Sequence, residues 1–406
     1  MRSPSVFLAM TLAACGGSST TPDGGPGNPD AGLPGDVRPG KRSQAASAGD
    51  ATGRLVVFGG DQGPIVDQIP QPDFVDETWV LDLTAGWHPV TGTSPSARGR
   101  AGAALDPSGW VLMFGGRYRP TGQTGDYTLY RELWAFDLTE ETWALVDDGS
   151  TGPTGREIPA VVYDPDAAAL YVYGGDTDPS ALGISPSTEV WRFQDGAWAQ
   201  VTTTGTAPTP RHFIASTFDS ARRRLVVYGG QPGNFVDPAL SDLYALDLAT
   251  STWSQLHPGG NGSPDGRFSG SLVYDAGGDR YLLLGGHADP GVVNDVSAFD
   301  PDTGMWSSVH PGDSFTGAPL GCLGNPAEIP ENYVDQDLNA PERRSGAAAA
   351  MLGSDLIVFG GQSDCSDHLD DTWRFDPAAA GWTELLAARS GESCLRRNDD
   401  CQCLCL

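Results

Sequence analysis

Lysine is all but missing from this 406-residue chain: Lys41 stands alone, and the 24 basic residues face 52 acidic ones for a net charge of −28. A surface of that sign repels polyanions and finds no attraction in an anionic bilayer, so nucleic acid is not expected as a partner. Helical periodicity is missing too. With 54 glycines and 32 prolines, every candidate helix is interrupted by Gly, Pro or Asx within a few residues, while short apolar runs alternate with turn signals. The class expected is all-β. No nucleophile elbow, phosphate-cradling glycine loop or zinc-protease helix is present, so no cofactor, metal or covalent mechanism is indicated.

What the chain does have is one object six times over. Leu225-Val226-Val227-Tyr228-Gly229-Gly230 returns at Leu55 to Gly60, Val111 to Gly116, Leu170 to Gly175, Tyr281 to Gly286 and Leu356 to Gly361. Each is a short buried strand stopped where the backbone needs positive φ. The first glycines stand at 59, 115, 174, 229, 285 and 360, steps of 56, 59, 55, 56 and 75 residues, and a period of this size means a propeller or solenoid in one domain.

Aligned on the glycine pairs, the copies show four strands each. The first is expected to begin at Arg42, Arg98, Arg156, Arg211, Arg267 and Arg344, followed by small residues suited to an innermost strand. The second ends in the glycine pair. The third carries an acid two places before an aromatic position, as in Glu77-Thr78-Trp79 and Asp371-Thr372-Trp373, and the fourth opens with Trp87, Trp143, Trp198, Trp253, Trp306 and Trp382. Because they occur once per unit, the arginines and acids read as a ring of structural ion pairs, and the tryptophans as packing rather than sugar platforms.

This pattern resembles the kelch repeat, and the chain is similar to a six-bladed kelch β-propeller of the galactose-oxidase-like class, with four antiparallel strands per blade over residues 42–387. Two segments could close the ring: Arg42 to Asp50, which the spacing favours, or the run from Arg389. A copper radical site of the galactose oxidase kind would need tyrosines, two histidines and a cysteine together. His257 and His310 follow fourth strands on different blades, about 14 Å outward of the first, and do not converge. His212, His287 and His368 have no ligand spacing, and Asp364, Asp367, Asp370 and Asp371 lack that of a calcium loop.

The first 15 residues carry Arg2, an apolar core from Val6 to Leu12 too short to span a bilayer, and small residues before Cys15. They resemble a bacterial lipoprotein signal. The resemblance implies a signal peptide over residues 1–14, a diacylated Cys15, and an exported protein anchored to the cell envelope by lipid alone, facing periplasm or surroundings. Residues 15–41, rich in Gly, Pro and Ser, read as a flexible tether. Six further cysteines, Cys322, Cys365, Cys394, Cys401, Cys403 and Cys405, suit disulfides in an oxidising compartment, with Cys322–Cys365 a natural pair and residues 388–406 a cysteine-rich tail.

Alternating strands place the long connections on one face. There the residues after the glycine pairs vary among the units: Asp61, Arg117, Asp176, Gln231, His287 and Gln362. Tyr118, Arg119, Tyr127, Tyr130, Phe235, Tyr333 and His368 lie around them, a polar and aromatic variety that suits a binding site. Two functions are open. One is a monomeric interaction module for a protein or polysaccharide. The other is a sugar mutarotase- or epimerase-like enzyme using Asp61, Asp176, Arg117 and His287. The module is preferred, since no spacing names a catalytic pair.

Overall fold

The computed structural model describes residues 32–66, 69–181, 183–233, 237–288, 291–315, 334–335, 339–363 and 368–389. Cys15 and the six other cysteines, most of the 311–342 insertion, and Phe235, Tyr333, Asp364 and Asp367 lie outside them. Among the described residues every regular element is a strand.

Six antiparallel sheets form the blades, each built from consecutive strands. In the first blade the order from axis to rim is Ala46–Gly49, Arg54–Phe58, Thr78–Asp82 and Gly86–Val90. The inner strands of the other five are Gly102–Leu105, Ala160–Asp164, Ala215–Asp219, Ser271–Asp275 and Ala348–Leu352. They line an axial channel of about 300 Å³. Blade one takes its inner strand from the N-terminal side, and among the described residues no strand from the far end of the chain joins its sheet.

The recurring arginines do not begin the inner strands. Each stands four residues ahead, as Arg42 does of Ala46 and Arg344 of Ala348, and the residue two places after it turns the chain with positive φ. Those turn residues are Gln44, Arg100, Ile158, Phe213, Ser269 and Gly346, with φ between 52° and 62°. The small residues that follow hid this turn in the sequence.

Each arginine is the hub of its blade. Arg344 donates from Nε to the Glu342 carbonyl, from Nη1 to the Gly360 carbonyl and from both Nη atoms to the two oxygens of Asp371, at 2.7–2.9 Å. Trp373 Nε1 donates to the same carboxylate at 2.8 Å. One guanidinium thus ties the entry to strand one, the end of strand two and the start of strand three. The other hubs are Arg42 with Glu77, Arg98 with Glu132, Arg156 with Glu189, Arg211 with Asp242 and Arg267 with Asp295. The glycine pair makes room for this. At Gly229, φ is 61° and a Cβ would come within 2.6 Å of the Arg267 carbonyl of the next blade.

Blade packs on blade through the outer-strand tryptophans. Trp87, Trp143, Trp198, Trp253 and Trp306 set their rings 4.8–5.3 Å from Phe359, Phe58, Phe114, Tyr173 and Tyr228, the residue before the glycine pair of the preceding blade. Trp87 Nε1 also donates to Thr372 Oγ1 of blade six at 3.0 Å, across the closing joint.

Part of the segment before Arg42 rests on the ring: Leu33, Arg38 and Pro39 are buried, with exposed residues between them. Leu33 donates its amide to the Leu385 carbonyl at 3.0 Å and is buried with Leu385 and Trp87. The strap lies where the last blade meets the first.

The hubs differ in burial. Asp371 is 2% exposed and held bidentately, whereas Glu77 is 48% exposed and meets Arg42 through one oxygen. Arg344→Met should therefore cost about 3–5 kcal/mol, the toll of stranding a buried charge. Arg42→Met should cost less, because water reaches the orphaned Glu77. Urea denaturation of both variants measures the order, and equal losses would contradict it.

Candidate functional site

At the mouth of the channel each blade adds one short antiparallel rung between the residue after the hub arginine and the residue after the glycine pair. The pairs are Ser43 with Asp61, Gly99 with Arg117, Glu157 with Asp176, His212 with Gln231, Phe268 with His287 and Ser345 with Gln362. These rungs carry the variable side chains to the axis, around a cavity of about 430 Å³ to which all six blades contribute.

Eight of the expected residues line it: Asp61, Arg117, Arg119, Tyr127, Asp176, His287, Gln362 and His368. Gln231 and Tyr118 are off its wall. Gln231 is buried, with Nε2 donating to the Asp237 carbonyl at 2.7 Å, and Tyr118 packs against Phe74 at 6.2 Å. Tyr130 lies under the Arg98 guanidinium at 3.7 Å. Sequence reading missed Arg100, Glu157, Phe213 and Phe268, and had His212 only as a rejected ligand. All stand one or two places after a hub arginine. Their signal was available: those positions differ from unit to unit as much as those after the glycine pairs.

One wall is cationic. Glu157 lies between two guanidiniums, Arg100 Nη1 at 3.1 Å and Arg117 Nε at 3.0 Å. Burial and the neighbouring Arg100 push the Arg117 guanidinium down to about 10, against the pull of Glu157. Arg117 and Arg119 both stand over the Tyr127 ring, at 4.0 and 4.2 Å from its centre. Arg119 is 9% exposed and donates from Nη1 to the Gly125 carbonyl, while its Nε has no partner among the described residues.

The facing wall is aromatic. His212 and Phe213 lie 4.7 Å apart, Phe213 and Phe268 5.8 Å, and Phe268 stacks on His287 at 4.8 Å and 12°. Arg100 reaches from one wall to the other, its guanidinium 4.7 Å from the Phe213 ring centre.

The two aspartates hold loops. Asp61 Oδ1 accepts from the amides of Gly63 and Asp73 at 2.9 Å. Asp176 Oδ1 accepts from those of Asp178 and Ser185 at 2.9 and 2.8 Å, and its Oδ2 is 3.6 Å from His212 Nδ1. Burial works against the Asp176 charge, but the adjacent His212 and the hydrogen bonds from the two amides prevail and keep its carboxyl below the usual range. His368 Nε2 meets the Gly63 carbonyl at 2.8 Å, joining the loops of blades six and one.

Away from the mouth the remaining candidates have structural partners. His257 and His310 each accept the amide two residues on, from Gly259 and Gly312, and face Phe299 and Phe375. Asp371 serves Arg344, and Asp370 meets Arg389 at 3.2 Å. Among the described residues no three of His, Cys, Asp and Glu are grouped to hold a metal ion.

A carboxyl depressed in the folded state contributes stability above its unfolded value, near 4, that is lost as pH falls through the folded one. Asp176→Asn should thus be less stable than the parent at pH 7, with the deficit shrinking below about pH 4. Urea midpoints at pH 7 and pH 3 test this; a deficit unchanged at pH 3 would count against an ionised Asp176.

Comparison with known proteins agrees with the architecture. Residues 160–319 match the KLHDC2/KLHL20/DRC7 Kelch-repeats domain and residues 343–385 the Kelch motif. A leucine-zipper-like transcriptional regulator 1 homolog of Drosophila melanogaster is 24% identical over 79% of this chain and 29% of its own length. Kelch domain-containing protein 10 of Xenopus tropicalis is 24% identical over 72% of this chain and 66% of its own. Human multiple epidermal growth factor-like domains protein 8 is 26% identical over 68% and 11%. The chain thus spans less than two thirds of each of these relatives. Matched repeats, hub arginines and six four-stranded blades together make the described body a kelch-repeat β-propeller.

Proposed function

We propose that the propeller is a binding module whose axial mouth receives a carboxylate-bearing group of a partner protein, held at the cell envelope by lipid on Cys15. The observation that carries this is the mouth itself: guanidiniums of Arg100, Arg117 and Arg119 facing the rings of Phe213, Phe268 and His287 across one cavity. Arginine presents a planar fork matched to a carboxylate, and the unpartnered Arg119 Nε leaves a donor to offer. The facing rings would take the apolar part of the same group. The net charge of −28 does not forbid this, because screening limits exposed charges to about 8 Å at physiological salt and the mouth acts locally.

The enzymatic reading has less support. Asp61 and Asp176 would have to move protons, yet their Oδ1 atoms hold loop amides and Asp176 favours the ionised form. An acid–base catalyst works best with a pKa near the working pH.

Titration calorimetry of the chain from residue 16 onward, with glutamate-rich peptides, oligomeric hexuronic acids and their neutral counterparts, tests the module. Acidic peptides should bind and neutral ones should not. Arg119→Ala should weaken binding at least tenfold, about 1.4 kcal/mol, and urea denaturation of the same variant measures separately the stability lost with its Gly125 hydrogen bond and Tyr127 contact. Binding of the uronic acids alone would transfer the site to a polysaccharide, and preference for neutral ligands would remove the proposal. The anchor has its own test: fatty-acid labelling in a bacterial host should mark the parent chain and spare Cys15→Ala.

A further inference from the structure

The ring provides its own control, since each joint between blades can be set beside five others. Three backbone hydrogen bonds recur at the mouth end. First, the amide of the hub arginine donates to a loop carbonyl of the preceding blade: Arg98 to Val75, Arg156 to Tyr130, Arg267 to Leu240, Arg344 to Val293 and Arg42 to Leu369. Second, the arginine's carbonyl accepts from the second glycine of that blade, Gly60, Gly116, Gly230, Gly286 or Gly361. Third, the turn residue donates to its counterpart one blade back, as in Arg100 to Gln44, Ile158 to Arg100, Ser269 to Phe213, Gly346 to Ser269 and Gln44 to Gly346. Five joints make all three bonds, at 2.7–3.3 Å.

The joint between the third and fourth blades makes none of them. The Arg211 amide, the Gly175 amide with the Arg211 carbonyl, and the Phe213 amide with the Ile158 carbonyl do not bond across it, although all these residues are described. Glycine geometry agrees by a separate route. At the other five joints a Cβ on the first glycine would strike the next arginine's carbonyl, whereas at Gly174 the nearest atom is the Ser187 carbonyl of its own blade, 3.4 Å away.

Side chains hold this joint instead. At the end away from the mouth Arg223 of blade four donates to both oxygens of the buried Asp164 of blade three, at 2.7 and 3.3 Å, and pins that end. At the mouth Asp176 and His212 come only to 3.6 Å, and apolar groups make the contact between. Tyr171, Tyr173 and Val190 of blade three are buried with Leu225, Leu246 and Trp253 of blade four. Apolar contact is non-directional and survives a small slide that would break a hydrogen bond. The connecting chain, meanwhile, belongs to blade four: Thr204–Gly205 pairs in parallel with Thr252 and Trp253 on its outer edge. That leaves residues 202–203, between Ala197–Val201 and Thr204–Gly205, as the pivot.

We propose that the propeller has one adjustable joint, between blades three and four, at which the mouth widens and narrows while the other five hold. Asp176, Ser180 and Ile184 line the cavity from one side of this joint, and His212 and Phe213 from the other. The joint therefore sets the width between the loop of blade three and the aromatic wall. It goes beyond the binding reading and does not depend on what the ligand is.

Two measurements on the full ring test it. Genetically encoded spin labels at the exposed outer-strand positions Gln200 and Gln255 report across the joint, and labels at Gln255 and Ser308 report across the next one. The first distance distribution should be at least twice as wide as the second, and equal widths would overturn the proposal. In the unlabelled protein, the amides of Gly175, Arg211 and Phe213 should exchange at least tenfold faster than those of Gly230, Arg267 and Ser269. Equal protection would overturn it as well.

Discussion

Everything in this molecule depends on a guanidinium that the chain buries six times. A buried arginine is costly unless its donors are filled. Here they are filled from three directions at once: a carbonyl just upstream, the carbonyl of the first glycine, and the carboxylate of strand three. The requirement is mutual. The glycine pair must bend back for its carbonyl to face the guanidinium, and the acid must stand at the start of strand three. The tryptophan two places on then donates to the same carboxylate in four blades. Geometry and composition vary elsewhere, but around this hub they cannot.

That constraint explains what could be read in advance. The hub leaves four marks in a fixed order, and their recurrence was enough for the strand number, the all-β class and the ion pairs. It was not enough to locate the arginines, because a turn residue such as Gln44 or Ile158 carries no glycine to betray its positive φ. The misplacement propagated. Glu157, Phe213 and Phe268 looked like members of inner strands, and half of the mouth went unseen. Leu33 failed for the opposite reason: one apolar residue among glycines and prolines is too weak a pattern to announce a packed strap.

The mouth shows how a repeat makes a site without breaking itself. The hub fixes backbone positions, so the residues one and two places beyond it are free to differ, and each blade adds a different chemistry to one ring. Blade two supplies arginines, blade three an acid between them, and blades four and five aromatic rings. Charge and ring therefore face each other across the axis, not along a single blade.

Because every blade is made of consecutive strands, each can complete its own sheet and hub as soon as its roughly 50 residues are available, without waiting for distant chain. Within a blade the hub arginine and its acid stand 27–35 residues apart, a short loop beside the span of the whole ring. Only the last joint is long-range: Trp87 must find Thr372, 285 residues away. Ring closure is thus the joint with the longest loop to close, and its entropic cost sets it apart from the joints between neighbouring blades.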